Sequence, residues 1–167
     1  MSQVELNNVK KAVEQGKVAN TYLILGHAQS DVIGSALSLV KAILKSPAWG
    51  QEIAQQQLSL ERLKGLANAD IHYYYPVNTT PEFKKSPSSS DFINHWREMV
   101  LKDSRISITD WYKKIGLGNK QGAINKDEAE KISKLAHLKA YEGGVKIFVI
   151  WMAEKMNLTA SNKLLKL

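Results

Sequence analysis

One eight-residue loop and one strand end are where this chain could do chemistry. Gly26, His27, Ala28, Gln29, Ser30, Asp31, Val32 and Ile33 lie between an apolar run and a helical pattern. That is the setting of a phosphate-binding loop, G-x-x-x-x-G-K-[ST]. Such a loop works because glycine lets backbone amides approach phosphate, the lysine meets the outer phosphates, and the hydroxyl holds magnesium. Laid on Gly26, the pattern puts Asp31 at the second glycine, Val32 at the lysine and Ile33 at the hydroxyl. Asp31 would set negative charge against phosphate, and neither apolar side chain has a polar atom to offer. The other half of a nucleotide site is a buried strand ending in one or two carboxylates that hold magnesium. Val145–Trp151 supplies an apolar run of that kind, but it ends in Trp151 and Met152, and Glu154 falls in the turn beyond. The two halves fail independently and in the same direction. The shape of a nucleotide site is present and its chemistry is missing. Phosphate binding through the loop's amides alone, at a helix N-terminus, stays open beside a strand-to-helix turn that binds nothing.

Other chemistry is sparse. His27, His72, His95 and His137 show no metal-ligand spacing. The chain has no cysteine, which excludes disulfides and zinc–thiolate sites. No nucleophile elbow or metalloprotease helix motif occurs. Tyr73–Tyr75 could stack on bases, although a strand with half-buried rings is the simpler account. The formal net charge is +7. Residues 1–70 hold seven Lys/Arg and six Asp/Glu, and residues 71–167 hold sixteen and ten. A basic second half invites a nucleic-acid reading, and a solvated lysine-rich surface explains the same scatter. The N-terminus has no apolar signal core, and no apolar run approaches the ~18 residues of a membrane span. A soluble, cytoplasmic protein is expected, with no membrane partner.

The elements that must position the loop and strand end follow from periodicity. A chain of 167 residues makes one domain the default and can bury about 68–70% of its unfolded surface. Val4, Leu6, Val9, Ala12 and Val13 recur at helical spacing, and Gly16 ends that helix. Thr21–Leu25 reads as a compact strand, and Asp31–Lys45 as an amphipathic helix closed by Pro47. Trp49–Asn68 reads as a helix, and Ile71–Tyr75 as a strand ended by Pro76. Val77–Ser90, with Pro81, Pro87 and a serine run, is a loop. Ser90–Asp103 reads as a helix with Phe92, Ile93, Trp96, Met99 and Val100 inward. Ile106–Ala123 reads as irregular, anchored by Trp111, Tyr112 and Ile115. Asn125 caps a helix to about Tyr141, with Glu128 placed to return a capping-box bond. Val145–Trp151 then reads as a strand buried on both faces, and Asn157 caps a last helix, Leu158–Leu167.

Several stretches resemble one family. VANTYLILGHAQSDVIGSALSLVKAIL resembles the opening of the AAA+ domain of bacterial clamp-loader subunits, and KAYEGGVKIFVIWMAEKMNLTASNKLLKL resembles the Walker B strand and next helix of that family. IHYYYPVNT, the region from DFINHW to DEAEKI and the YEGG turn together resemble the delta-prime lineage of the DNA polymerase III clamp loader. The resemblance implies an α/β, three-layer P-loop NTPase-like (AAA+) fold, a parallel sheet flanked by helices that stops before the strand called sensor-1. Residues 1–167 would be a partial AAA+ N-terminal subdomain with a lineage-specific insertion at about 77–123. It implies a non-catalytic member of a pentameric ring, packed against motor and delta subunits and meeting DNA only through the complex. On this resemblance the chain ends before the arginine finger, lid and collar of the family. Members often carry a four-cysteine zinc module where Ala48–Asn68 stands here; without cysteine, no zinc is expected, and no cofactor. With the sensor strand missing between them, Thr21–Leu25 and Val145–Trp151 should pair directly or leave open edges that favour self-association. Two rivals remain: a P-loop ATPase with an aberrant site, and a basic nucleic-acid-binding module.

Overall fold

The computed structural model describes residues 3–27, 30–142 and 144–167. Its elements in chain order are α1 (Gln3–Glu14), α2 (Val32–Leu44), α3 (Ile53–Lys64), β1 (Ile71–Tyr74), α4 (Ile93–Lys102), α5 (Ile108–Lys114), α6 (Lys126–Ala136), β2 (Ile147–Ile150) and α7 (Leu158–Leu164). Short 3-10 turns at Pro47–Trp49, Ser89–Phe92 and Ala153–Lys155 punctuate them. The chain divides into two compact units. Met1–Ile71, Val100–Ile106 and Ala140–Ile147 form the first; His72–Met99, Ser107–Lys139 and Phe148–Leu167 form the second.

In the first unit α1 and α2 pack together, because each is apolar along one face. Leu6, Val13, Leu39, Ala42 and Ile43 make the buried centre. Tyr22 and Ile24 pack on it from one extended stretch, and Val145 and Ile147 from another. Gly16 ends α1 with φ +82°, a left-handed conformation that glycine adopts without a Cβ penalty. Ser46 Oγ donates to the Val13 carbonyl at 2.8 Å, joining the ends of the two helices.

In the second unit Tyr75 is fully buried and stacks on Trp96 with ring centroids 4.4 Å apart. Trp111 meets Tyr75 edge-on at 4.7 Å, and its indole N–H donates to the Pro76 carbonyl at 2.8 Å. Aromatic pairs favour these offset and edge arrangements, and a buried indole needs such a partner. The helices α6 and α7 pack against each other. Ile124 N–H donates to the Lys155 carbonyl at 3.0 Å and Asn157 N–H to the Ile124 carbonyl at 3.2 Å, which fixes the start of α6 beside the start of α7.

Among the described residues the sheet has two strands, β1 beside β2. Ile147 N–H donates to Asp70 and Trp151 N–H to Tyr74. Donor and acceptor numbers rise together, so the strands are parallel. The molecule is therefore α/β and compatible with a P-loop-like fold, but the described residues do not form the expected three-layer sheet. Thr21–Leu25 is extended and alternates inward and outward side chains as a strand would, but among the described residues it is not one of the two strands of the sheet. It packs on the same buried cluster as Val145 and Ile147. The four residues of β2 are half-buried rather than buried on both faces. Ile106–Ala123 is not irregular throughout: α5 forms within it, capped by Ser107, whose hydroxyl accepts from Asp110 N–H at 3.1 Å.

Candidate functional site

The loop after Thr21–Leu25 belongs to the first unit, and the amides of Ser30, Val32 and Gly34 are bound within it. Ala28 and Gln29 lie outside the described residues. The exposed His27 offers its carbonyl to Ser30, which donates to it from N at 2.9 Å and from Oγ at 2.7 Å. Val32 N–H turns back to the Ser30 carbonyl at 2.9 Å. A side chain at Gly26 would collide with Ser30 and Val32, so the loop closes tightly over its own glycine.

Asp31 is the N-cap of α2. Its Oδ1 accepts from Gly34 N–H at 2.8 Å and from Ser104 Oγ at 2.7 Å. A Cβ at position 34 would run into that carboxylate, which is why glycine suits the first turn. The positive end of the helix therefore already carries an anion, the protein's own. Arg105, beside Asp103, also senses the Asp31 charge. Val32 is half-buried, and Ile33, at the position of the magnesium-binding hydroxyl, is buried in the core.

Trp151 and Met152 belong to the second unit. Trp151 is buried, its ring tilted against Trp96 at 5.4 Å. Met152 takes a left-handed backbone, φ 58°, at the cap of the turn beyond. The side chain at the strand end is thus spent on core packing, and no carboxylate stands there. The histidines are scattered: His72 stacks on Phe148 at 5.3 Å, His95 lies against Phe92, and His27 and His137 are exposed. Among the described residues no group of His, Asp or Glu is arranged to hold a metal ion. The tyrosines at 73–75 are buried, so they are not a stacking platform, and burial pushes the hydroxyls of all three well above the ordinary tyrosine range.

Two sets of buried acid contacts were not foreseen from the sequence. In the first unit the buried Asp70 and Glu142 tie the turn before β2 to α3. Asp70 accepts the amides of Tyr141 and Glu142, each at 2.7 Å. The Glu142 carboxylate accepts from Ser59 Oγ at 3.2 Å, Asn68 Nδ2 at 3.0 Å, Ala69 N at 3.2 Å and the Arg62 guanidinium. In the second unit Glu128 does not return a capping-box bond to α6, although Asn125 caps Glu128 N–H as expected. Its carboxylate runs inward, 1% exposed, and accepts Ser89 N–H at 2.8 Å. Burial pushes that carboxyl up, against the opposing pull of the Ser89 amide and the charge of Lys131. Both tie distant segments of their unit together.

No helix among the described residues is long and apolar enough to cross a membrane. Comparison with curated proteins finds no match, nor does comparison with solved structures. The model of one protein family, described as DNA polymerase III, delta subunit, matches residues 1–167, the whole length of the sequence. The chain belongs to the DNA polymerase III, delta subunit family, a family of clamp-loader-type subunits of DNA replication.

Proposed function

We propose that this chain is a non-catalytic, delta-prime-type subunit of the clamp loader, in which the AAA+ scaffold offers fixed surfaces to other subunits. The observation that carries this reading is the filled N-terminus of α2. A triphosphate would need free amides and a positive helix end. Here Gly34 N–H is bound to Asp31, Ser30 and Val32 amides are bound within the loop, and Ile33 is buried where a metal-binding hydroxyl would stand. An added phosphate would meet the Asp31 carboxylate at close range, and like charges that close repel by several kcal/mol at the effective dielectric of a protein surface, about 4 kcal/mol per unit pair at 4 Å. Membership of the family supports assembly as the role, with motor and delta subunits as partners and DNA reached through them. The segment at about 77–123 is read as a lineage-specific insertion.

Isothermal calorimetry with magnesium-ATP tests the enzyme alternative. No heat of binding is expected at millimolar nucleotide; measurable affinity that is lost on Ser30→Ala would turn the reading over to an ATPase with an aberrant site. Primer–template binding that weakens steeply with salt would favour the basic nucleic-acid module instead.

A further inference from the structure

Glu128 is ionisable by type and buried by position. One carboxyl oxygen accepts Ser89 N–H at 2.8 Å. The other, Oε2, has no hydrogen-bond partner among the described residues. An ionised carboxylate offers about four acceptor sites, and it needs them filled when it leaves water. One amide does not fill them, so this place suits the neutral acid better than the ion. The surrounding groups leave that preference in force. Asp91, in the same 3-10 turn as Ser89, and the hydroxyls of Tyr74 and Tyr75 bring no positive charge. Lys131, on the same helix as Glu128, opposes, but it is exposed to water and burial outweighs it.

What Glu128 holds is a clasp. Tyr75 N–H donates to Ser89 Oγ and Ser89 Oγ donates to the Tyr75 carbonyl, each at 3.3 Å. The Tyr75 hydroxyl donates to the Ser89 carbonyl at 2.7 Å. Through this one serine the loop before α4 grips the chain at the end of β1. The loop on both sides of it is open to solvent: Lys84, Lys85, Ser86 and Ser90 are exposed. Ser86 also has a left-handed backbone, φ 40°, which costs a serine energy to hold. Water thus stands one residue from a buried bond, and opening would release strain nearby.

We propose that Glu128 is a proton-controlled latch on residues 84–90. Neutral, it keeps Ser89 clasped to Tyr75. On losing its proton to solvent it draws water to Oε2, and the segment lifts while the helices of the unit stay folded. Lifting uncovers the Tyr75 hydroxyl and the carboxylate itself.

Hydrogen exchange of the whole chain, read by NMR at single amides across a pH series, tests this. Wild-type and Glu128→Gln proteins are compared, with the intrinsic pH dependence of exchange divided out. In wild-type protein the protection of the Ser89 and Tyr75 amides should fall as pH rises above the ordinary glutamate range. One linked proton sets the slope at about tenfold per pH unit, until the raised folded-state value is passed. The amides of Ala129 in α6 and Ile115 at the end of α5, both bonded within their helices, should keep their protection. The glutamine variant should show no such fall. Constant protection at Ser89 in wild-type protein overturns the latch. A parallel fall at Ser89, Ala129 and Ile115 means that the unit unfolds as a whole, and also overturns it. The same fall in Glu128→Gln assigns the proton to another group and overturns it too. The wild-type series decides by itself if the variant does not fold.

Discussion

Glu128 occupies the helical position at which a carboxylate usually turns back to its own N-cap. Asn125-x-x-Glu128 reads that way in the sequence, and the asparagine half of the pattern does form. The glutamate half does not, because Ser89, far away in sequence, presents an amide inside the core. A local pattern cannot show such a competitor. Burial is the main cause of the raised carboxyl, with Asp91 adding to it and the Ser89 bond and Lys131 opposing. A folded-state value above the unfolded one means that folding favours the neutral acid. Its contribution is complete below the ordinary glutamate range and is lost as pH rises through the raised folded-state value. Glu128→Gln keeps an oxygen for Ser89 and cannot ionise. Urea midpoints of the two proteins should therefore diverge: as pH rises through and above the ordinary glutamate range, wild-type should lose stability relative to the glutamine variant. Parallel pH profiles would contradict this assignment.

At the scale of elements, helix ends were the most legible features, because capping chemistry is local. Asn125 and Asn157 each cap the helix expected of them. The short helix α5 was missed because Gly116, Gly118 and Gly122 dominate its neighbourhood, yet Ser107-x-x-Asp110 was a usable start signal. For α2 the cap is Asp31, and Asp31→Ala should cost about 0.5–2 kcal/mol in urea unfolding, whereas Asp31→Asn should cost almost nothing. The tie between α3 and the turn before β2 had no sequence signature at all. Glu142 stands before a glycine pair and nothing in its spacing points to Ser59, Arg62 and Asn68. Glu142→Ala removes the acceptor of several buried donors at once. A loss of about 2–4 kcal/mol is expected from chemical denaturation, larger than for any exposed ion pair of the molecule.

For the molecule as a whole, the α/β class was readable and the number of strands was not. Thr21–Leu25 has every intrinsic property of a strand, but a strand is a relation between two segments, and propensity reports only one. What does show is a pair of exposed apolar side chains: Leu23 is 74% and Leu25 66% exposed. Neighbouring exposed apolar side chains favour association between copies. Light scattering should show wild-type protein growing in apparent mass with concentration, and Leu23→Lys with Leu25→Lys should hold it monomeric. A monodisperse wild-type protein at high concentration would refute this. The burial of Ile33 has a historical corollary. To equip the loop for triphosphate, a lineage would have to insert a hydroxyl there, giving up core packing at roughly 2–5 kcal/mol by analogy with other core truncations. It would also have to remove Asp31 and uncap α2 in the same period. Each step alone weakens the protein before any ligand rewards it. Selection acts on single steps, so folding stability alone opposes the acquisition of those two side chains at this loop.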